Sequence, residues 1–114
     1  DQVRLFLDGI YDELQESGFE FAYRTVKEIR QYFAVACELQ KEEFNITRTM
    51  DEQIVQKILP KIYGDRKQIG ELLNTLEEKF KRGFGEDVEE MTLSLNKIEQ
   101  MKKRLDKYQY ASFM

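Results

Sequence analysis

The chain has 114 residues, of which 41% are hydrophobic and 35% are charged, and its formal net charge is −4 at pH 7. This length suits one domain with a modest core, and the apolar fraction excludes a disordered tail. With one Cys and no His, the chain has no disulfide framework and almost no ligands for a transition metal. The acidic balance argues against a nucleic-acid-binding domain, which usually carries a basic excess.

The first predicted element is a helix that ends at Ser17 and Gly18. Its apolar residues recur at helical spacing, at Val3, Leu7, Ile10 and Leu14. Because the chain begins inside this pattern, we expect residues 1–114 to be a single helical domain cut from a longer protein. The sequence has no signal-peptide pattern and no apolar run of bilayer length, so we expect a cytoplasmic protein without a membrane partner.

A second helix is predicted from about residue 22 to residue 41, after an alternating segment, Phe19-Glu20-Phe21, that is typical of an extended connector. We expect Cys37 to be a small core residue rather than a reactive thiol, since no His lies nearby to activate it. The inward face of this helix carries Val26, Ile29, Phe33, Ala36 and Cys37.

The third predicted helix begins at a capping box, "TMDE" at residues 49–52, and ends or kinks at Pro60. Gly64 is a predicted left-handed stop, and Asp65 is the predicted N-cap of the next helix. That fourth helix covers about residues 66–81, and its apolar stripe is Ile69, Leu72, Leu73, Leu76 and Phe80.

A break at residues 82–87 separates the fourth helix from a fifth, whose predicted cap is Ser94 and which is followed by an apolar C-terminal tail, "YASFM". The chain therefore reads as an all-α bundle of about five helices without a strand of conventional length.

The residues offer little catalytic chemistry. Without His there is no Ser–His or Cys–His pair, and the chain contains no GxxxxGK[ST] phosphate loop. The segment "GFGED" at residues 83–87 lacks the following Lys and Ser/Thr, which favours an ordinary loop. We therefore expect no catalytic residue and no metal site in this chain.

Two groups of cations have competing interpretations. Lys57 and Lys61 are four residues apart, with Arg66 shortly after, and they could form a cationic patch or a solvated helix end. The basic run at residues 97–104 lies within an ordinary amphipathic helix, so a DNA-reading role there is the weaker interpretation.

Arg24 is harder to explain. A cation in the first turn of a helix opposes the helix macrodipole by about 0.3–1 kcal/mol, so its position requires an offsetting interaction. The guanidinium fork suits either phosphate oxygens or a carboxylate. On the residues alone, an ion pair with Glu20 or Glu28 is slightly favoured over a phosphate contact.

Three stretches belong together: "GFEFAYRTVKEI" (18–29), "DEQIVQKILPKIYGDRKQI" (51–69) and "SLNKIEQMKKRLDKYQYASF" (94–113). They resemble the C-terminal end of McrB-like AAA+ NTPases, relatives of the nucleotide-hydrolysing subunit of the 5-methylcytosine-specific restriction system. In that family a Phe-x-Phe-x-Tyr-Arg helix start precedes a Gln-Lys-Ile-Leu-Pro-Lys element ending in Gly, and a Ser-led helix finishes near Ser-Phe. Relatives often have His where this chain has Tyr63, and an aromatic residue such as Trp where it has Met114.

The resemblance implies a lid subdomain, the small helical bundle that follows the nucleotide-binding core of an AAA+ protein. It implies that Arg24 is the sensor 2 arginine, which faces the nucleotide phosphates, and that Tyr23, Lys57, Lys61 and Arg66 are candidates for interface or phosphate contacts. The phosphate loop, the magnesium-binding acids and the arginine fingers would lie upstream of Asp1. The parent would bind ATP or GTP with Mg²⁺, form a ring, and act with a nuclease or other effector on DNA, whereas this chain alone would hydrolyse nothing.

Two alternatives to the lid stay open at the level of the sequence. The first is a stand-alone helical protein-interaction domain. The second, which the residues support less, is a helical DNA-binding domain that uses Lys57, Lys61 and Arg66 or the basic run at residues 97–104.

Overall fold

A computed structural model describes residues 2–82 and 91–113, and there the chain forms five α-helices and a two-stranded antiparallel sheet. The prediction of an all-α bundle of five helices is confirmed. The predicted break at residues 82–87 lies, after Arg82, outside the described residues, as does "GFGED". The elements are α1 (Gln2–Glu16), α2 (Ala22–Gln40), α3 (Ile46–Gln53), β1 (Gly64–Asp65), α4 (Arg66–Arg82), α5 (Thr92–Tyr108) and β2 (Tyr110–Ala111).

The connection between α1 and α2 is a tight turn. Gly18 has φ 86°, and its N–H and that of Phe19 donate to the carbonyls of Gln15 and Leu14, both at 3.0 Å. Glycine adopts this left-handed backbone without steric cost. Phe21 is already helical in conformation (φ −65°, ψ −17°), so the predicted extended connector at residues 19–21 is wrong.

The third helix begins earlier than its predicted capping box. Asn45 is the N-cap of α3, and its side-chain oxygen accepts a hydrogen bond from the Arg48 N–H at 3.0 Å. Thr49 is therefore inside the helix, and Glu52 pairs with Arg48 rather than reaching back to a free amide. Asn serves as an N-cap as well as Thr does, and it occurs first.

The helical path after α3 continues beyond Gln53 without an abrupt stop at Pro60. A π-helical turn over Ile54–Ile58 is followed by a 3₁₀ turn over Leu59–Lys61, and the backbone is extended at Ile62. Pro60 lies at the start of the 3₁₀ turn, where its missing N–H costs no hydrogen bond. These turns place Lys57 and Lys61 along one side of the bundle.

The α4 helix begins as the sequence predicts. The Asp65 carboxylate accepts from the Gln68 N–H at 2.9 Å, and the Gln68 side-chain oxygen accepts from the Asp65 N–H at 3.0 Å, which forms a reciprocal capping box. Gly64 precedes it with φ 152°. A β-carbon at Gly64 would come within 2.7 Å of the Gln68 side-chain oxygen, so this glycine leaves room for the cap.

One hydrophobic core joins all five helices, and every residue of the predicted α4 stripe is buried in it. Cys37 is exposed, so its predicted place in the core is wrong. Ala36, the neighbouring position, is buried instead and completes the inward face of α2. The largest fully buried side chains include Phe80, Leu7, Ile10, Leu14, Ile29, Met50, Ile54 and Leu73.

The apolar tail is part of the fold. β2 pairs with β1, and Phe113 packs against the core. No helix within the described ranges is both long enough and apolar enough to cross a membrane.

Candidate functional site

Arg24 lies on the surface in the first turn of α2, two residues after the helix begins. Neither Glu20 nor Glu28 pairs with it, and no other residue in the ranges 2–82 and 91–113 forms an ion pair or hydrogen bond with its side chain. The N-terminus of α2 has no side-chain cap and no acidic residue in its first turn. The structure therefore gives no carboxylate of the described chain that offsets the unfavourable placement of this cation.

Tyr23 points into the space between α1 and α2. Its ring meets the Tyr11 ring edge-on, with centroids 6.5 Å apart, yet 67% of the residue remains exposed. A groove of about 310 Å³ lies beside this pair and is also lined by Arg30 and Asp8, which form an ion pair. Tyr23 is thus not a core residue: Tyr11 contacts its ring, and most of the residue is exposed beside Arg24 in the sequence.

Lys61 reaches α2 one residue after Arg24. Its ammonium group donates a hydrogen bond to the Thr25 hydroxyl at 2.9 Å and lies 5.3 Å from the centre of the Phe21 ring. Neither contact neutralises its charge, because a hydroxyl and a ring face are both uncharged. Thr25 itself is 1% exposed, so the ammonium group is anchored on a fixed point.

Lys57 approaches the same face of α2 two turns further along. Its ammonium group lies 5.5 Å from the centre of the Tyr32 ring. Since Thr25 and Tyr32 are seven residues apart, they lie on one side of the helix. The two lysines therefore lie along one side of α2, and Arg24 lies one residue before Thr25 in the first turn of the same helix. We call Arg24, Lys57 and Lys61 the α2 cationic surface.

Arg66 does not join this surface. Its guanidinium group forms an ion pair with Asp106 of α5 at 2.8 Å. The predicted patch of Lys57, Lys61 and Arg66 is therefore divided, because Arg66 opens α4 and faces α5 instead. The basic run of α5 is similarly engaged: Lys102 pairs with Glu77 at 3.1 Å and Lys103 with Glu99 at 3.4 Å.

The sequence did not reveal Thr25 as an anchor or Asp51 as a cap. Asp51 of α3 is 5% exposed, and its carboxylate accepts from the N–H groups of Leu93 and Ser94 at 2.9 and 2.7 Å. Ser94 was the predicted cap of α5, and that prediction is wrong: its hydroxyl donates to the Asp51 carbonyl oxygen at 3.3 Å. A polar residue on the core side of a predicted helix is the only signal the sequence offers for either role.

The α2 cationic surface carries three positive groups, and no described carboxylate pairs with any of them. It can attract anions through one planar guanidinium fork and two ammonium groups. Among the described residues, no cluster of three or more Cys, Asp or Glu side chains could hold a metal ion.

A protein-family model matches almost the whole chain. Residues 1–110 match the family described as "Domain of unknown function (DUF8727)", and the chain belongs to this family. No curated protein and no solved structure matches the chain.

Proposed function

We propose that this member of the DUF8727 family is the C-terminal lid subdomain of an AAA+ ATPase or GTPase similar to McrB, and that it couples nucleotide state to ring assembly in a restriction or defence system. The resemblance of three stretches that cover most of the chain supports this proposal, as does the all-α bundle of five helices. In this proposal the upstream core of the same protein supplies the catalytic groups and binds ATP or GTP with Mg²⁺.

The observation that carries the proposal is the unpaired Arg24. A structural arginine in the first turn of a helix would be expected to hold a carboxylate, and neither of the two acidic residues within reach in sequence does so. A phosphate oxygen from a nucleotide bound between the core and the lid would supply the missing charge. This is the role that the resemblance gives to the sensor 2 arginine.

The proposed role of Arg24 is electrostatic. A guanidinium group near the terminal phosphates stabilises the charge that builds up there during hydrolysis. When the phosphate is released, the contact between Arg24 and the nucleotide is lost, which weakens the attachment of the lid. Lys61 and Lys57 extend the positive field along α2 toward the same ligand or toward a neighbouring ring subunit. The nuclease or other effector and its DNA would be reached through the parent ring.

The test is nucleotide hydrolysis by the longer protein that contains this chain. We expect Arg24→Ala to lower kcat at least tenfold, and Arg24→Lys to restore part of it because a charge without the planar fork remains. Arg30→Ala, six positions further along α2, removes a surface arginine that is paired with Asp8 and is the matched control. Normal turnover by folded Arg24→Ala would contradict the sensor assignment.

A second function, a helical protein-interaction domain, is favoured by one separate observation. Apolar side chains are exposed along the C-terminal half of α2, namely Tyr32 at 43%, Val35 at 58% and Leu39 at 78%. The sequence upstream of Asp1 separates the two functions: a GxxxxGK[ST] motif within a few hundred residues supports the lid, and its absence supports the interaction domain.

A DNA-binding domain is the least supported of the three. The Arg66 cation and two of the α5 cations pair with carboxylates of this chain, which removes much of the positive stripe that phosphate binding would use. A salt-dependent gel shift by the isolated chain would favour DNA binding, and no shift at low salt would eliminate it.

A further inference from the structure

The residues that follow α5 fold back along that helix. Gln109 has a left-handed backbone (φ 62°), which reverses the chain after the last turn. The Arg104 guanidinium group then donates to the carbonyl oxygens of Ser112 and Phe113 at 3.1 and 3.2 Å. The Lys97 ammonium group lies 4.2 Å from the centre of the Phe113 ring. We call residues 109–113 the C-terminal strap.

The strap is attached to β1 as well as to α5. Tyr110 pairs with Asp65 and Ala111 pairs with Gly64 in the antiparallel sheet. Ala111 is 1% exposed, so the pairing is closed off from solvent on one side. The strap therefore joins the last helix to the segment that leads into α4.

That segment also carries Lys61. Lys61 ends the 3₁₀ turn three residues before β1, and its ammonium group is anchored on Thr25 of α2. A short chain of contacts thus runs from Arg104 through the strap and β1 to the α2 cationic surface. Ile62 lies between Lys61 and β1 and is fully buried. Because the core around it is close-packed, a displacement of β1 is transmitted toward Lys61.

We propose that the C-terminal strap, clamped by Arg104, is the element that positions Lys61 on the α2 cationic surface, so that release of the strap lowers the affinity of this surface for phosphate groups. The nature of the ligand rests on the proposed function, whereas the mechanical link from Arg104 to Lys61 does not. Because binding linkage is reciprocal, a bound phosphate group also holds the strap in place. Arg104 is in this sense a positioning residue.

The first experiment measures amide hydrogen exchange in the 114-residue chain. We expect Arg104→Ala to lower the protection of residues 110–113 and of residues 62–65 together, by about tenfold, since two hydrogen bonds to a charged donor are lost. Arg104→Lys keeps a cationic donor and should recover part of the protection in both segments. Arg48→Ala, which removes an exposed arginine paired with Glu52, is the matched control and should change neither segment.

The second experiment follows the binding of inorganic tripolyphosphate by NMR shifts of the residues around Lys61 and Arg24. We expect Arg104→Ala to weaken binding about fivefold and Arg104→Lys to weaken it less. Arg24→Ala should weaken it without any change in exchange at residues 110–113. That contrast separates a residue that contacts phosphate from one that acts through the strap.

The outcomes distinguish this inference from the proposed function. If tripolyphosphate causes no NMR shifts around Arg24 and Lys61 in the wild-type chain, phosphate binding by this surface is overturned. The link from Arg104 to Lys61 is then tested by amide hydrogen exchange alone. If Arg104→Ala releases residues 110–113 while residues 62–65 keep their protection, the link is overturned. An equal loss of protection in all five helices, with no recovery in Arg104→Lys, would also overturn it, because Arg104 would then act on global stability.

Discussion

The N-termini of α5 and α2 differ in the charge that lies next to the helix dipole. At α5, a buried carboxylate from another helix, Asp51, accepts two backbone N–H groups, as the helix macrodipole favours. At α2, the first turn has neither a side-chain cap nor an acidic residue and instead presents Arg24 to solvent. One start is stabilised by tertiary structure, and the other is left electrostatically unfavourable.

This difference between the two helix starts indicates that Asp51 stabilises the fold and that Arg24 does not. The α5 helix begins at Thr92, and Asp51 ties its first turn to α3. The α2 start follows a tight turn that fixes its entry without a cap, through the hydrogen bonds of Gly18 and Phe19. Because α2 is held by that turn and by its buried face, its first turn can tolerate an unpaired cation at a small cost in stability.

The largest effect is expected at the α5 start. Asp51→Ala leaves the N–H groups of Leu93 and Ser94 without acceptors, one of them buried, and should lower the free energy of unfolding by about 2–3 kcal/mol. Chemical denaturation with unchanged m-value would measure the loss.

Two variants sharpen that result. Asp51→Asn retains an acceptor oxygen and the side-chain volume, so it should lose about half as much. Glu52→Ala, at the next position, breaks only an exposed pair with Arg48 and should change stability by less than about 0.5 kcal/mol. A loss at Glu52→Ala as large as at Asp51→Ala would show that the α5 cap is not the source of the effect.

The sequence predicts helices well where the local pattern and the local cap coincide, as at α4. The stripe from Ile69 to Phe80 and the cap at Asp65 lie within one continuous segment, so period and capping chemistry point to the same boundary. The sequence does not predict where α5 begins, because the cap of this helix comes from Asp51, more than 40 residues earlier in the chain. No local pattern contains a contact of that separation.

A middle effect is expected at α4, whose start has an ordinary local cap. Asp65→Ala removes one half of the reciprocal box with Gln68 and should lower the free energy of unfolding by about 1 kcal/mol. Asp65→Ser keeps an acceptor and should lose less. If Asp65→Ala cost as much as Asp51→Ala, the distinction between a local cap and a buried tertiary cap would fail.

The candidate site is only partly readable from sequence. Arg24 is singled out by its conflict with the macrodipole, which is a local property of one helix. The grouping of Lys61 with α2, and the separation of Arg66 from it, depend on the π-helical and 3₁₀ turns between Ile54 and Lys61. Those turns change which way each cation faces, and an α-helical period cannot predict them.

The smallest effect is expected at Arg24, and its sign is the opposite of the other two. Arg24→Ala removes a cation from a helix N-terminus and substitutes the best helix former, so the free energy of unfolding should rise by about 0.3–1 kcal/mol at low salt. Arg30→Ala makes the same substitution on the same helix but breaks the ion pair with Asp8, so it should gain less or lose stability. Thermal unfolding of both variants at low and high salt measures the difference, which added salt should reduce. If Arg24→Ala is instead destabilising, Arg24 has a structural partner, and the contrast between the two helix starts no longer separates a residue that serves the fold from one kept for a ligand.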